Sequence, residues 1–461
     1  MITKLKRFIV WDKRSPAQNI ALSFLLMILI GTILLALPIS NADGNWLSVI
    51  DALFTATSAS CVTGLVSVIT AEQFSGFGQV VILILIQAGG LGVMTIMAIF
   101  ILMLKNKFSM NEKIAMKEML NHEKISNMKS FVLDIVSYTF FFEAIGLILL
   151  ASQFIPEFGL EGGLWKALFI SVSAFCNAGF DNIASLSLIP YQTNIIINFT
   201  VMGLIVLGGL GFAVWFDIRD KVKKGLINKK GLKSVARSLS LHSKIVITMT
   251  LCLIIVPALI ILAIEWSNPL TLGNLNAFEK IMCCLFQSVT LRTAGFASLN
   301  YAGLSMATQF LMVIVMFIGG SPGGTAGGIK TTTLAVVLIL VHSKFTNKSL
   351  PSIFSRGIDK EIIYRACVII TINILALCLG VFALCISENM TFMELLFEAA
   401  SAMATVGLTL GITPALTAIG KIIIILLMYI GRIGAITFLI SMIGKKHQDH
   451  VVYPTGNIIV G

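Results

Sequence analysis

Four glycines set the chemistry this sequence offers. Gly64, Gly179, Gly295 and Gly407 each close a triplet: Val62-Thr63-Gly64, Asn177-Ala178-Gly179, Thr293-Ala294-Gly295 and Thr405-Val406-Gly407. They recur at intervals of 115, 116 and 112 residues. Glycine lets the backbone turn its carbonyls to one side without a Cβ clash. Four such segments on one axis make a ring of carbonyl oxygens, the arrangement that replaces the hydration shell of an alkali cation. The ligands are backbone atoms, so the other residues of each triplet are free to vary. Thr405-Val406-Gly407 stands closest to the TVG of a potassium-channel signature, and the other three are degenerate forms of it. A single glycine of this kind would read as a helix-packing position, since small residues let helices approach in bilayers. Four at a regular period, each after a short apolar piece, point to the carbonyl ring instead.

The elements that must position these triplets have the same period. The short pieces read LFTATSASCVTGL (53–65), LFISVSAFCNAGF (168–180), LFQSVTLRTAGF (285–296) and LFEAASAMATVGL (396–408). Each is too short to cross a hydrocarbon core and reads as a re-entrant helix. Backbone that leaves helix geometry at membrane depth is tolerable only where it lines water or is buried in protein. Eight longer apolar runs flank them, near 20–40, 79–104, 131–154, 195–217, 243–265, 305–342, 363–387 and 419–443. A second glycine echo follows each triplet: GGLG at 89–92, GGLG at 208–211, GGSPGG at 319–324 and GRIG at 431–434. The pattern predicts an all-α polytopic membrane protein, with four repeats of helix, re-entrant pore helix, glycine loop and helix around a central, potassium-channel-like pore. The repeats occupy 20–104, 131–217, 243–342 and 363–443, between an amino-terminal segment (1–19) and a tail (444–461), both cytoplasmic.

Composition supports the membrane reading. Of 461 residues 57% are apolar and only 12% charged, about half the charge of a soluble domain. That excludes an ordinary soluble enzyme, a disordered chain and a fibrous repeat. The net charge of +11 invites a nucleic-acid reading, but the distribution of the basic residues argues against it. The amino-terminal segment, the loops near 105–129, 217–244 and 344–365, and the tail hold 27 of the 33 Lys and Arg residues. The opposite loops carry mostly Asp and Glu, including Asp51, Asp181, Glu265, Glu279, Glu388 and Glu394. Positive loops stay cytoplasmic, so both termini are expected inside. No small-residue cleavage site follows the basic start, so the first apolar run is read as a retained span. The eight cysteines form no CxxC or Cys/His cluster, which disfavours soft-metal sites. Cys61 and Cys176, beside two of the triplets, read as small residues.

The sixth run breaks the pattern. Its middle reads Gly319-Gly320-Ser321-Pro322-Gly323-Gly324-Thr325-Ala326-Gly327-Gly328, followed by Ile329 and Lys330. Glycine and proline end a helix, so a flexible loop is expected halfway through the membrane. A phosphate-binding loop requires Lys directly after its last Gly, and here Ile329 intervenes. Charges deep within apolar runs are costly and usually functional, and Arg432, Lys330 and Glu143 need an account. Arg432 is read as a pore-facing barrier. Lys330 is read equally as functional or snorkelling. Glu143 is a partner for a cation or a dimer-interface hydrogen-bonder. Arg292, just before the third triplet, is expected to turn back from the axis and cap acceptors or pair with an acid.

With these residues in view, the chain resembles the membrane subunit of the Ktr potassium-uptake systems, in the Trk/Ktr/HKT superfamily of cation transporters. FCNAGFD (175–181), RTAGF (292–296) and TVGLTLGITP (405–414) carry the resemblance most strongly, and it covers about 20 to 450 of the chain. It implies potassium conduction, often sodium-stimulated, in a homodimer with one pore per subunit in the plasma membrane. It also implies a cytoplasmic ring of nucleotide-binding (RCK) regulatory subunits, with no covalent cofactor and with nucleotide bound only by that partner. The 319–328 segment then corresponds to an intramembrane gating loop, and the family too has an arginine in the last span below the filter, where Arg432 stands. Sodium is a second candidate ion, since in plant relatives a first-loop serine accompanies sodium selectivity. An alternating-access carrier is the main rival, although such carriers usually show two repeats. A membrane enzyme needs convergent titratable residues, and these spans hold too few.

Overall fold

The computed structural model describes residues 16–92, 128–183, 187–229, 231–347 and 350–443. The amino-terminal segment up to residue 15, the remainder of the 79–104 run with the basic loop after it, and the tail from 444 lie outside the described residues.

Among the described residues, each quarter of the chain supplies a long outer helix and a short buried one, continuous with the long helix in the second quarter, followed by an inner helix that is bent in the second and fourth quarters and interrupted in the third. The long helices are α1 (Pro16–Ala36), α4 (Met128–Phe175), α8 (Leu241–Glu265) and α12 (Lys360–Ser387). The other helices are α2 (Val49–Cys61), α3 (Gly76–Leu91), α5 (Ile195–Gly209), α6 (Phe212–Ile227), α7 (Leu232–Ser238), α9 (Ala277–Thr290), α10 (Met306–Met316), α11 (Thr331–Phe345), α13 (Phe392–Met403), α14 (Ala418–Ile433) and α15 (Ala435–Ile443). Among the described residues a two-stranded hairpin, β1 (Ser352–Ile353) with β2 (Arg356–Gly357), is the exception to the all-α reading and sits in the basic 344–365 loop.

The long helices are lipid-facing elements. Ile33 in α1, Ile148 in α4, Leu259 in α8 and Leu379 in α12 are all exposed, as an apolar solvent permits and water does not. The core forms around the short helices. The phenylalanine of each Leu-Phe pair, at positions 54, 169, 286 and 397, is fully buried, and burying such rings dominates packing energetics.

The structure corrects two readings of the spans. In the second and fourth repeats the second apolar run is not one straight helix. α5 and α6 meet at 94° and α14 and α15 at 99°, with Gly211 and Gly434 at the bends in positive φ (90° and 92°). Gly92, which ends α3, has φ 82°. The last glycine of the echo is therefore where the helix turns in the second and fourth repeats and where α3 ends in the first, and no other residue type adopts that backbone cheaply. The third repeat breaks more fully, into α10 and α11 around the glycine loop. The second correction concerns 131–154 and 164–176, expected as a span and a separate pore helix. They are joined in α4, whose one non-helical residue is Gly159 (φ 75°, ψ 175°), three residues after Pro156.

The outer acids have structural work. Glu279 and Glu394 complete capping boxes on α9 and α13. Glu265 accepts from the Ser305 N–H (3.0 Å) and the Thr308 hydroxyl (2.6 Å) at the start of α10. Glu388 accepts likewise from the Thr417 N–H (3.2 Å) ahead of α14. Carboxylates at helix N-termini satisfy orphan donors and oppose the dipole, so these residues fix where α9, α10, α13 and α14 begin.

Candidate ion-conduction site

The four triplets meet on one axis. A Cβ built on Gly64 would lie 2.6 Å from the carbonyl oxygen of Ala178, and one on Gly179 would lie 2.7 Å from that of Ala294. One on Gly295 would lie 2.6 Å from the Val406 oxygen, and one on Gly407 would be closer still to the Thr63 oxygen. Each glycine thus faces the carbonyl just before the next glycine, and the fourth returns to the first. The order around the axis is the order in the chain.

The backbone is built alike in all four. The residue two before each glycine has positive φ: Val62 57°, Asn177 58°, Thr293 66° and Thr405 54°. This is a left-handed conformation that a β-branched residue adopts only at a cost, and strain of this kind collects at functional sites. The glycines also have positive φ, from 69° to 96°. What holds the turn is a bond from the triplet back into the short helix. The N–H of Thr63, Ala178 and Val406 donates to the carbonyl five residues earlier, on Ser58, Ser173 and Ser401, at 2.8 Å each. In the third copy Ala294 reaches back four residues, to Thr290 (2.9 Å).

Sequence reasoning missed the hydroxyls that reinforce these turns. The Gly64 N–H donates to Ser58 Oγ (3.1 Å) and the Gly407 N–H to Ser401 Oγ (3.0 Å). The signal was available, because a serine stands six residues before the glycine in three copies. Behind the fourth triplet, Glu398 accepts from the hydroxyls of Thr409 (2.7 Å) and Thr413 (2.5 Å). Behind the third, Gln287 donates to Ser298 (2.9 Å) and accepts from Tyr301.

The echo glycines serve close approach. A Cβ on Gly89, Gly208 or Gly431 would collide with the carbonyl of Ser60, Phe175 or Met403, respectively. Each of those carbonyls lies four residues before its triplet glycine, so the inner helices rest directly on the ends of the pore helices. In the third repeat the equivalent Gly319 packs on Gly327 of its own loop.

That loop, 319–328, is folded back on itself beneath the triplets. The Gly319 N–H donates to Ile329 (2.8 Å) and the Thr331 N–H to Gly320 (3.1 Å). It docks on the break between α5 and α6: Ser321 N–H to Gly209 O (3.0 Å), Thr325 N–H to Gly208 O (3.2 Å) and Phe212 N–H to Gly323 O (3.0 Å). Lys330 turns inward, its Nζ donating to the Ala326 carbonyl (2.7 Å), so it braces the loop rather than snorkelling. Arg432, in the last turn of α14, donates to the carbonyls of Thr325 and Gly89. It therefore joins the loop to the first repeat.

Arg292 points away from the axis. Its Nη2 donates to Thr250 Oγ1 (3.2 Å) on α8, and no carboxylate pairs with it among the described residues. Glu143 is buried and receives the Ser171 hydroxyl on its backbone carbonyl (2.7 Å). Cys61 and Cys176 are buried free thiols, and no cluster able to hold a metal ion occurs among the described residues.

Above the triplets lies a cavity of about 340 Å³, lined by all four glycines and by Asp181. Below them the hydroxyls of Thr293 and Thr405 are buried without hydrogen-bond partners, as is that of Thr63. Four pore helices also aim their C-terminal ends here, each carrying about half a negative charge. Carbonyls, unpaired hydroxyls and negative helix ends form a ligand set suited to a desolvated monovalent cation.

The model of the TrkH family, described as a cation transport protein, matches residues 6–452. The Ktr system potassium uptake protein B of Bacillus subtilis is 39% identical over 465 residues, covering 100% of both chains. The potassium/sodium uptake protein NtpJ of Enterococcus hirae is 40% identical over 460 residues, covering 98% of each. Among solved structures, the potassium transporter TrkH from Vibrio parahaemolyticus superposes with a TM-score of 0.66 at 18% identity, covering 90% of this chain and 84% of that one. That likeness concerns the fold. With a family match across nearly its whole length and relatives near 40% identity end to end, the chain is a membrane protein that belongs to the TrkH family of cation transport proteins.

Proposed function

We propose that this chain is the pore-forming subunit of a potassium-uptake system. The observation that carries the reading is the closed ring in which Gly64, Gly179, Gly295 and Gly407 each face the carbonyl before the next glycine. In this reading potassium sheds its water in the cavity beside Asp181, is bound by the inward carbonyls, and passes down toward the hydroxyls of Thr293 and Thr405. The 319–328 loop blocks the path beneath, and Arg432 holds the loop in place while adding a positive barrier. Two like charges about 4 Å apart repel by roughly 1 kcal/mol in water and about 4 kcal/mol at a partly buried site, enough to hold up an ion.

The finer readings follow the resemblance and the relatives' names. The protein works in the plasma membrane with both termini cytoplasmic, as a homodimer with one pore per subunit. A nucleotide-binding RCK-type ring docks on the basic cytoplasmic face, where α6 and α7 carry Lys and Arg residues between 217 and 244, and moves the loop aside. Sodium stimulates transport. The Enterococcus relative, whose name includes both ions, supports sodium as a second permeant species.

Rubidium uptake in a host lacking its own potassium transport, with and without competing sodium, tests the assignment. Saturable rubidium uptake that resists a large excess of sodium is expected. Uptake no greater than in the empty host, or equal competition by sodium, overturns it.

A further inference from the structure

Thr325 is fully buried at the tip of the 319–328 loop, and every polar atom it owns is engaged. Its N–H donates to Gly208 (3.2 Å) and its carbonyl accepts from Arg432. Its hydroxyl faces two acceptors, the Phe175 carbonyl at 3.2 Å and Asn177 Oδ1 at 3.3 Å. Asn177 is the left-handed residue of the second triplet, and its Nδ2 donates onward to the Arg292 carbonyl (3.3 Å), immediately before the third triplet. A hydrogen-bonded chain thus runs from the loop through one triplet to the next. The missing side chain of Gly208 leaves room for it, since a Cβ there would lie 2.9 Å from Thr325 Oγ1 and 3.0 Å from Asn177 Oδ1. On the opposite side Gly327 packs directly on Thr405 of the fourth triplet. The loop therefore touches triplets in both neighbours of its own repeat.

We infer that the Thr325 hydroxyl is a positioning group for the selectivity filter, so that the loop sets ion discrimination as well as blocking the path. The inference rests on the reading of the triplets as filter and of 319–328 as gate, and adds a coupling between them. A left-handed backbone is held only where its surroundings over-determine it. Asn177 is held on both sides, by Thr325 and by the Arg292 carbonyl, and buried networks of this kind act as units. Removing the hydroxyl leaves the Asn177 amide anchored on one side only. The carbonyls of the second and third triplets then gain freedom to contract around a smaller ion.

Rubidium and sodium uptake, each normalised to the amount of protein in the membrane, test this in four variants. Thr325→Val keeps the side-chain shape without the hydroxyl and is expected to lower rubidium-over-sodium discrimination about fivefold, the equivalent of one hydrogen bond. Thr325→Ser keeps the hydroxyl and should stay within about twofold of wild type by the same measure. Asn177→Gly removes the amide while tolerating the left-handed backbone, and should lower discrimination on its own. Adding Thr325→Val to it should change discrimination no further, because both act through one contact. If Thr325→Val fails to reach the membrane, Thr325→Ala carries the same comparison. Loss of the hydroxyl that alters the amount of flux but leaves the ratio at the wild-type value overturns the coupling, as do independent effects of the two substitutions. A wild-type protein with no preference for rubidium defeats the filter reading itself, and that outcome is separate from the other two.

Discussion

Gly407 leaves no room for a side chain because the carbonyl oxygen of Thr63 occupies the position its Cβ would take. These residues are 344 positions apart, in the last and first repeats, and their approach closes the ring. Gly407→Ser is therefore expected to push Thr63 outward. Selectivity for rubidium over sodium should fall by at least about tenfold, a loss of ~1.4 kcal/mol. Gly64→Ser, Gly179→Ser and Gly295→Ser should do the same. Paired uptake assays read the outcome, and unchanged selectivity in all four would reject the ring as the filter.

The same seam is fastened on its outer side by an ion pair. Lys421 Nζ lies 2.7 Å from Asp51 Oδ1, with both side chains largely buried. Breaking a shielded pair strands the remaining charge. Lys421→Gln and Asp51→Asn are each expected to destabilise the purified protein by about 1–3 kcal/mol, seen as a lower unfolding midpoint in detergent. The double variant should lose less than the sum, since the two residues share one contact.

Arg432 should control basal flux. Its guanidinium satisfies the carbonyls of Thr325 and Gly89, so Arg432→Ala removes both a positive charge and the latch on the loop. Uptake without any regulatory partner is expected to rise about tenfold if ~1.4 kcal/mol of barrier is removed. Arg432→Lys, which reaches one carbonyl rather than two, should give a smaller rise.

Deleting residues 321–326 removes the docking bonds of Ser321, Gly323 and Thr325. Flux is expected to exceed that of the wild type, and control by a cytoplasmic regulatory partner should weaken. Wild-type flux and regulation in a deletion protein that reaches the membrane would exclude the loop as the gate.

The echo glycines separate packing from conduction. Gly431→Ala would drive a methyl into the Met403 carbonyl, and overpacking of this kind costs about 1–3 kcal/mol. Membrane abundance should fall. Gly203 in α5 has open space where its Cβ would be, so Gly203→Ala should leave abundance unchanged or raise it.

The repeat, the short helices and the four glycines are readable along the chain alone. Those features are local: a glycine's freedom of φ, the length an apolar run needs to cross a bilayer and the sidedness of Lys and Arg act within a few residues or a single loop. Repetition then multiplied a weak local signal by four, and Gly64, Gly179, Gly295 and Gly407 were legible for that reason. The breaks at Gly211 and Gly434 were less legible, because an apolar run reads the same whether straight or bent at 94° or 99°. The partners that charged and polar groups find far along the chain were not legible. Arg432 meets Thr325 and Gly89 across 107 and 343 residues, and Thr325 meets Asn177 across 148. Spacing along the chain carries no information about such pairs. Only the tertiary structure, by wrapping four copies around one axis and laying the third repeat's loop across its neighbours, decided which carbonyl each donor would find. Burial explains this: at membrane depth no water competes, so a donor left unpaired is costly and most take an acceptor that the fold brings within reach.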